Sequence, residues 1–380
     1  MKRTNFWGLG WLLCAALSGG AAASSYSDFN AGISARNNHD YDTAIRYLSL
    51  ALAAPDLPAH LKPTALFDRG EAYVFTKQSD AALADYDAGL ALVPDSYDAL
   101  QDRAFLHLQR KEFDLARADY KSAIAVRPEL ANGYVGHGTV NLAERRYDDA
   151  VKDYTDALGA TLGALDLYVL RGDAYRMAGR TDEAIKDYDI AIRQDSKYAD
   201  AYIARGRAYQ QAGAFRDALS DFDEAARLTP RDADLKRLIG IAQWELGRFR
   251  DAEESFAASG GSAEQSAYAF LWRFLARPDA PERELAQRAA ALDQAAWPGP
   301  AVRLVLGRAK PEDVLAAAGD GDADLKEART CEADFFVGEW QKLRGDKAEG
   351  QRLFGATVEA CRNEWPEWRA AKTELQRAAR

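Results

Sequence analysis

The sequence predicts an all-α fold, an α-α superhelix assembled from tandem helical hairpins. Three recurrences predict it. A small residue returns every 34 positions, at Gly70, Ala104, Gly138, Gly172, Gly206 and Gly240. Alanine follows 12 residues after each, at Ala82, Ala116, Ala150, Ala184, Ala218 and Ala252, and an aromatic stands four further on, at Tyr86, Tyr120, Tyr154, Tyr188, Phe222 and Phe256. Steps of three and four place the alanine and the aromatic on one face of a second helix, with the glycine facing them from a first. Glycine inside a helix costs about 1 kcal/mol relative to alanine, so its return at one phase marks a place where two backbones must approach closely.

The chain opens on residues 1–23, where Lys2 and Arg3 precede an apolar run from Phe6 to Leu17 and the small residues Ala21-Ala22-Ala23. This is the pattern of a secretory signal cleaved after Ala23; the apolar run is short for a membrane span. Cys14 follows Trp11-Leu12-Leu13, unlike the small residues of a bacterial lipobox, so a periplasmic protein is expected ahead of an outer-membrane lipoprotein. Export implies an oxidising compartment, and without Cys14 an even pair remains, Cys331 and Cys361, whose spacing puts one near the start of a helix and the other near the end of its antiparallel partner, within reach of a disulfide. The formal charge of −10 falls to −12 without Lys2 and Arg3, and with no local basic patch the surface repels nucleic acid. No later segment is apolar enough to span a membrane.

Residues 24–261 contain seven regular units. The earliest carries Gly32, Ala44, Leu48 and Ala51 at the same offsets, with about four extra residues between Leu57 and Pro63 before the next. Ala178-Gly179-Arg180, Ala212-Gly213-Ala214 and Leu246-Gly247-Arg248 mark turns between paired helices, and Pro94, Pro128 and Pro230 fall at unit boundaries. Arg69, Arg103, Arg171 and Arg205 precede the small residue, Asp85, Asp119, Asp187 and Asp221 precede the aromatic, and His137 takes the arginine phase opposite Asp153. Such a ladder is expected to be structural ion pairing. Regularity ends near Ser262, and residues 262–330 read as degenerate helical repeats broken by Pro278, Pro281, Trp297-Pro298-Gly299-Pro300 and Gly319-Asp320-Gly321-Asp322. Residues 331–380 read as a terminal unit with Gly338, Gly345 and Phe354, Gly350 where alanine is usual, and a last helix near Pro366–Ala378 covering the open end.

The pattern resembles the tetratricopeptide repeat family. By that resemblance the first helices line a groove, and ligand-facing positions lie three before, one after and four to five after the small residue. They include Phe67, Glu71, Gln101, Phe105, Val135, Thr139, Asp173, Arg176, Arg207, Gln210 and Trp244. Members that clamp a terminal carboxylate carry lysine and asparagine where this chain has Phe67, Glu71, Gln101 and Phe105, so that subtype is not implied. Six tryptophans, Trp244, Trp272, Trp297, Trp340, Trp365 and Trp368, crowd the C-terminal part; most suit an irregular core, whereas Trp365 and Trp368 beside Pro366 suit an exposed binding surface. The segment from Cys331 to Trp340 and the turn Leu343-Arg344-Gly345-Asp346 further resemble bacterial NlpI-type repeat proteins. That resemblance implies an adaptor for cell-envelope proteases or peptidoglycan hydrolases, often a homodimer.

Chemistry finds little footing. His39, His60, His107 and His137 are scattered, and HExxH, P-loop and GxSxG signatures are missing, so no catalytic residue, metal or cofactor is expected. The expectation is a non-enzymatic periplasmic scaffold that binds proteins or peptides. An enzyme or glycan-handling module using 262–330 and a self-assembling structural protein are the alternatives.

Overall fold

Small side chains at one phase allow helices to close into pairs, and such pairs recur through the computed structural model, which describes residues 24–161, 164–260, 262–362 and 365–379. Residues 1–23, expected to be a cleaved signal and including Cys14, lie outside the described residues. The fold is all-α, with no strand among the described residues. It divides into two compact units, residues 1–129 and 130–380.

Unit one holds three hairpins: α1 (Ser25–Asn37) with α2 (Tyr41–Ala53), α3 (Lys62–Phe75) with α4 (Ser79–Leu92), and α5 (Tyr97–Gln109) with α6 (Phe113–Val126). A 3-10 turn, Ala59–Leu61, takes up part of the insertion between the first two. Unit two continues with α7 (Ala131–Ala143) and α8 (Tyr147–Ala160), α9 (Leu165–Met177) and α10 (Thr181–Gln194), α11 (Ala199–Gln211) and α12 (Phe215–Leu228), and α13 (Ala233–Glu245) and α14 (Phe249–Ala258). It ends with α15 (Ala263–Ala276), the short α16 (Glu282–Ala289), α17 (Gly299–Val305) and α18 (Pro311–Ala318), then α19 (Ala323–Leu343), α20 (Lys347–Ala360) and α21 (Pro366–Ala378).

The predicted close approach is present in hairpin after hairpin. A Cβ added at Gly138, Gly172, Gly206 or Gly240 would stand 2.9, 2.6, 2.5 and 2.6 Å from the ring of Tyr154, Tyr188, Phe222 or Phe256. Gly338 meets Phe354 in the same way at 2.9 Å, which makes α19–α20 a hairpin of this design. Gly350 also finds its reason there: a Cβ would lie 2.9 Å from the carbonyl oxygen of Gly338, so backbone, not an alanine methyl, fills that contact.

The turn inside each hairpin was legible only where glycine marks it. Gly179, Gly213 and Gly247 have φ between +74° and +78°, but His39, Lys77, Lys111 and Arg145 hold the same left-handed conformation at +58° to +60°. The hydrogen bonds are shared: Gln78 N–H reaches Tyr73 O at 2.8 Å as Arg180 N–H reaches Tyr175 O at 2.8 Å, the six-to-one bond that ends a helix in a Schellman motif. This closure satisfies carbonyls that the helix end leaves open, which offsets the roughly 1 kcal/mol cost of αL for a residue with a Cβ.

The charged ladder forms as bidentate pairs. Arg69, Arg103, Arg171 and Arg205 each donate through Nε and Nη2 to both oxygens of Asp85, Asp119, Asp187 and Asp221 at 2.7–2.8 Å. In the fourth hairpin the two donors come from different residues: His137 Nδ1 lies 2.8 Å and Asn141 Nδ2 2.7 Å from Asp153 Oδ2. These carboxylates are buried and hydrogen-bonded within their hairpins, which gives them a structural role.

The irregular region packs around aromatics. Trp244 and Trp272 meet edge-on at 5.7 Å, and Phe256, Phe335 and Phe336 surround Trp272. Trp297 donates its indole N–H to Glu332. The Cys331–Cys361 disulfide is present. Its setting differs from the expectation, because α19 begins at Ala323 and carries Cys331 well inside the helix, while Cys361 caps the end of α20.

Candidate functional site

In unit one the first helices α3 and α5 gather carboxylates, Glu71 at a groove phase and Asp68 and Asp102 two residues before the recurring small residue. Arg36 of α1 pairs with Asp68 at 2.8 Å and with Glu71 at 3.5 Å. The other oxygen of Asp68 is buried without a hydrogen bond, and burial pushes its carboxyl up to about 6. Tyr86 donates its hydroxyl to Asp102 at 3.1 Å, and the charges of Asp102, Glu71 and Asp68 all bear on that hydroxyl. One turn along α5 from Asp102, Phe105 leaves 47% of its surface exposed. Gln101 is half-buried beside it in sequence. Phe67 is a packing residue instead, since its ring occupies the space that a side chain at Gly89 would take.

In unit two the same phases are largely covered from within. Val135 packs against the core around Tyr154, and Thr139 is occupied by a hydrogen bond to Val135 O at 2.8 Å. Asp173 accepts from Tyr188 at 2.9 Å. Arg176, Gln210 and Trp244, expected to face a ligand, are buried at 8%, 1% and 2% exposure, and this corrects the sequence reading. Arg207 alone of the predicted residues on α11 stays exposed.

The cover is α21. One face of it packs on α19 and α20, and Ala370 and Ala371 are fully buried. The other meets the first helices: Arg369 approaches Gln210 at 3.5 Å and Glu245 at 3.7 Å, and Arg377 donates to the carbonyls of Trp244 and Glu245 at 2.9 and 3.1 Å. The Arg377 guanidinium thereby caps the C-terminus of α13 and lies 4.8 Å over the Trp244 ring. The last helix was expected to cover only the solenoid's end; its charged face turns it onto the groove as well. Trp365 and Trp368, expected to be exposed, are half-buried, and Trp368 donates to Val358 O at 3.0 Å.

Burial governs the charges beneath α21. Glu245 accepts from Gln210 at 2.9 Å, yet burial pushes its carboxyl up to about 7 in spite of Arg369. Burial likewise pushes the Arg369 guanidinium down and the Glu339 carboxyl up, the latter against Lys342 at 2.6 Å. Desolvation thus outweighs attraction at both ends of the Arg369–Glu245 pair. A carboxyl whose folded pKa exceeds its unfolded value of 4.5 binds more protons when folded, so stability falls as pH rises from about 4.5 to about 7 and levels above that. Raising the pH from 5 to 7 should cost unit two roughly 1–2 kcal/mol through Glu245. Urea midpoints followed by tryptophan fluorescence at both pH values measure this, and Glu245→Gln should flatten the difference; a variant with the unaltered pH profile refutes it.

The irregular region pairs Glu284 with Arg288, which Glu253 shares. Its hollow of about 550 Å³ is lined mainly by Phe274, Leu285, Val305, Leu306 and Trp340, with Asp279 and Glu282 at the side. Among the described residues no group of three or more His, Cys, Asp or Glu is placed to hold a metal ion, and no helix is long and apolar enough to cross a membrane.

Comparison with known proteins follows the repeat. Residues 172–213 match the family model described as TPR repeat, and residues 67–131 and 203–267 match the one described as tetratricopeptide repeat. No curated protein matches the sequence. Among solved structures, a tetratricopeptide repeat protein from Parabacteroides merdae ATCC 43184 superposes with a TM-score of 0.55 at 18% identity, over 66% of this chain and 98% of that one. MamA protein gives 0.42 at 21% identity, over 46% and 96%. YrrB, described as a TPR protein with an unusual peptide-binding site, gives 0.38 at 20% identity, over 55% and 98%. The first of these likenesses is one of fold. Given family models that match along both units, and a glycine-to-aromatic contact that repeats in register with them, the chain is a tetratricopeptide-repeat protein.

Proposed function

We propose that the protein is a non-catalytic scaffold that holds peptide segments of other proteins, and that the open surface is the first-helix face of unit one. The observation that carries this reading is the set of carboxylates Asp68, Glu71 and Asp102 around the Tyr86 hydroxyl, answered by Arg36 alone among the pairs described above, with Phe105 exposed one turn away. Excess negative charge beside an exposed ring suits a segment with a lysine or arginine next to an apolar side chain, the cation steering encounter and the apolar contact lengthening residence.

Residues 1–23 support a periplasmic location, and the disulfide fits the oxidising conditions found there. In that compartment an adaptor would act by effective concentration, keeping a protease or cell-wall hydrolase near its substrate. The test uses fluorescein-labelled dodecapeptides carrying Lys-Leu-Lys or Glu-Leu-Glu in a Gly/Ser background. The basic peptide should bind and the acidic one should not, and Phe105→Ala should weaken binding about tenfold, equivalent to about 1.4 kcal/mol. Equal binding of both peptides, or no change with Phe105→Ala, overturns the reading.

A further inference from the structure

The first-helix face of unit two is already occupied, and its occupant shows what that face accepts. The helix α21 presents two guanidiniums eight residues apart, Arg369 toward Gln210 and Glu245, and Arg377 toward the carbonyls of Trp244 and Glu245 at the end of α13. Eight residues advance a helix by about 12 Å and turn it roughly 80° beyond two full turns, so the two arginines reach two separate features of the groove at once. Both features belong to the repeats: Gln210 and Glu245 stand at groove phases of α11 and α13, and the carbonyls are those of the last turn of a first helix, where Trp244 O also accepts from Gly247 N–H at 2.9 Å. Ala370 and Ala371 are fully buried in the core that also holds Phe335, Phe336 and Phe354 of α19 and α20.

The chemistry of this contact favours exchange. It is made by side chains of opposite charge whose burial works against both partners, the situation in which an ion pair contributes specificity with little net stability. The contact of α21 with α19 and α20, by contrast, is more extensive and joins buried alanines to the Trp368–Val358 and Lys342–Glu374 hydrogen bonds, so α21 has a firmer attachment there than on the first helices.

We propose that the α11–α13 surface beneath α21 is a second binding site, for an external amphipathic helix that carries two arginines eight residues apart, and that α21 fills this site in the resting chain and competes with such a partner. The site is separate from the acidic face of unit one and is read through Glu245 and the α13 terminus.

The probe is a labelled synthetic peptide with the sequence of residues 365–379, titrated into the full chain. Wild-type protein should bind it weakly. Arg369→Glu with Arg377→Glu, which sets like charge against Glu245 and withdraws the cap, should bind it at least tenfold more tightly, and hydrogen exchange across 366–378 should accelerate. Adding Glu245→Ala to that variant should remove the gain. Where the double variant lacks wild-type helicity, Arg377→Ala, at a half-buried side chain, replaces it with an expected gain of about threefold. A helical variant that binds no more tightly than wild type overturns the proposal, as does a gain that survives Glu245→Ala. Because the unit-one test uses Lys-Leu-Lys peptides and Phe105→Ala, failure there and failure here are distinguishable.

Discussion

Replacing Gly206 by valine should lower the stability of the protein by about 3 kcal/mol, with a matching fall in thermal midpoint followed by far-ultraviolet circular dichroism. The added Cβ would lie 2.5 Å from the Phe222 ring, which is wholly buried, and valine adds two methyls beyond it. Valine regains a few tenths of a kcal/mol of helix propensity over glycine, far less than the overpacking costs. Nature has tried the smaller step at Ala104. Its partner Tyr120 keeps 5% of its surface exposed, whereas Tyr154 and Tyr188 keep none, as though the ring had moved outward to admit the methyl. Gly206→Ala should therefore cost no more than about 1 kcal/mol, gain and strain nearly cancelling. The control has the opposite sign: at Gly355, within α20, an added Cβ meets nothing within 4 Å, and Gly355→Ala should stabilise by roughly 0.5–1 kcal/mol. If Gly206→Val melts with wild type, close approach is not what the recurring glycine serves.

That result bears on how much the sequence could say. The glycine, alanine and aromatic phases specify which helices pair and which faces meet, because each is set by local geometry that repeats every 34 residues. The ladder from Arg69–Asp85 to Arg205–Asp221 was legible for the same reason. The turns at Lys77 and Lys111 were not, since a lysine gives no sign that its neighbours' carbonyls will hold it at positive φ. The groove phases were read from the same period, yet Gln210 and Trp244 are buried under or beside α21, a segment some 120 to 170 residues downstream. Periodicity locates a surface but carries no information about a non-repeating helix that later folds onto it. One signal was available: α21 sets Glu367, Arg369, Glu374 and Arg377 among alanines, more charge than an end-covering helix requires on its inner side.

Reduction of the Cys331–Cys361 disulfide should destabilise unit two by about 3–4 kcal/mol, the largest change expected from any single covalent alteration here. The bond closes a loop across 30 residues, and opening it returns that much chain entropy to the unfolded state. The consequence should spread beyond α19 and α20. Glu327, one turn before Cys331, is held by Arg362, which follows Cys361, and also by Arg145 at 3.1 Å in the turn between α7 and α8. The disulfide therefore fixes the residues at which the terminal helices grip the start of unit two. Every tryptophan after residue 23 lies in this unit, so indole fluorescence reports it selectively, while helicity reports both units together. With reductant, the urea midpoint read by tryptophan should fall and the helical signal should split into an early and a late part. Cys331→Ala should show the reduced behaviour with or without reductant. A midpoint indifferent to reductant in the wild-type chain would mean that apolar packing of Phe335, Phe336 and Phe354 holds α19 and α20 in place by itself, and that the cysteines are incidental to the grip on Arg145.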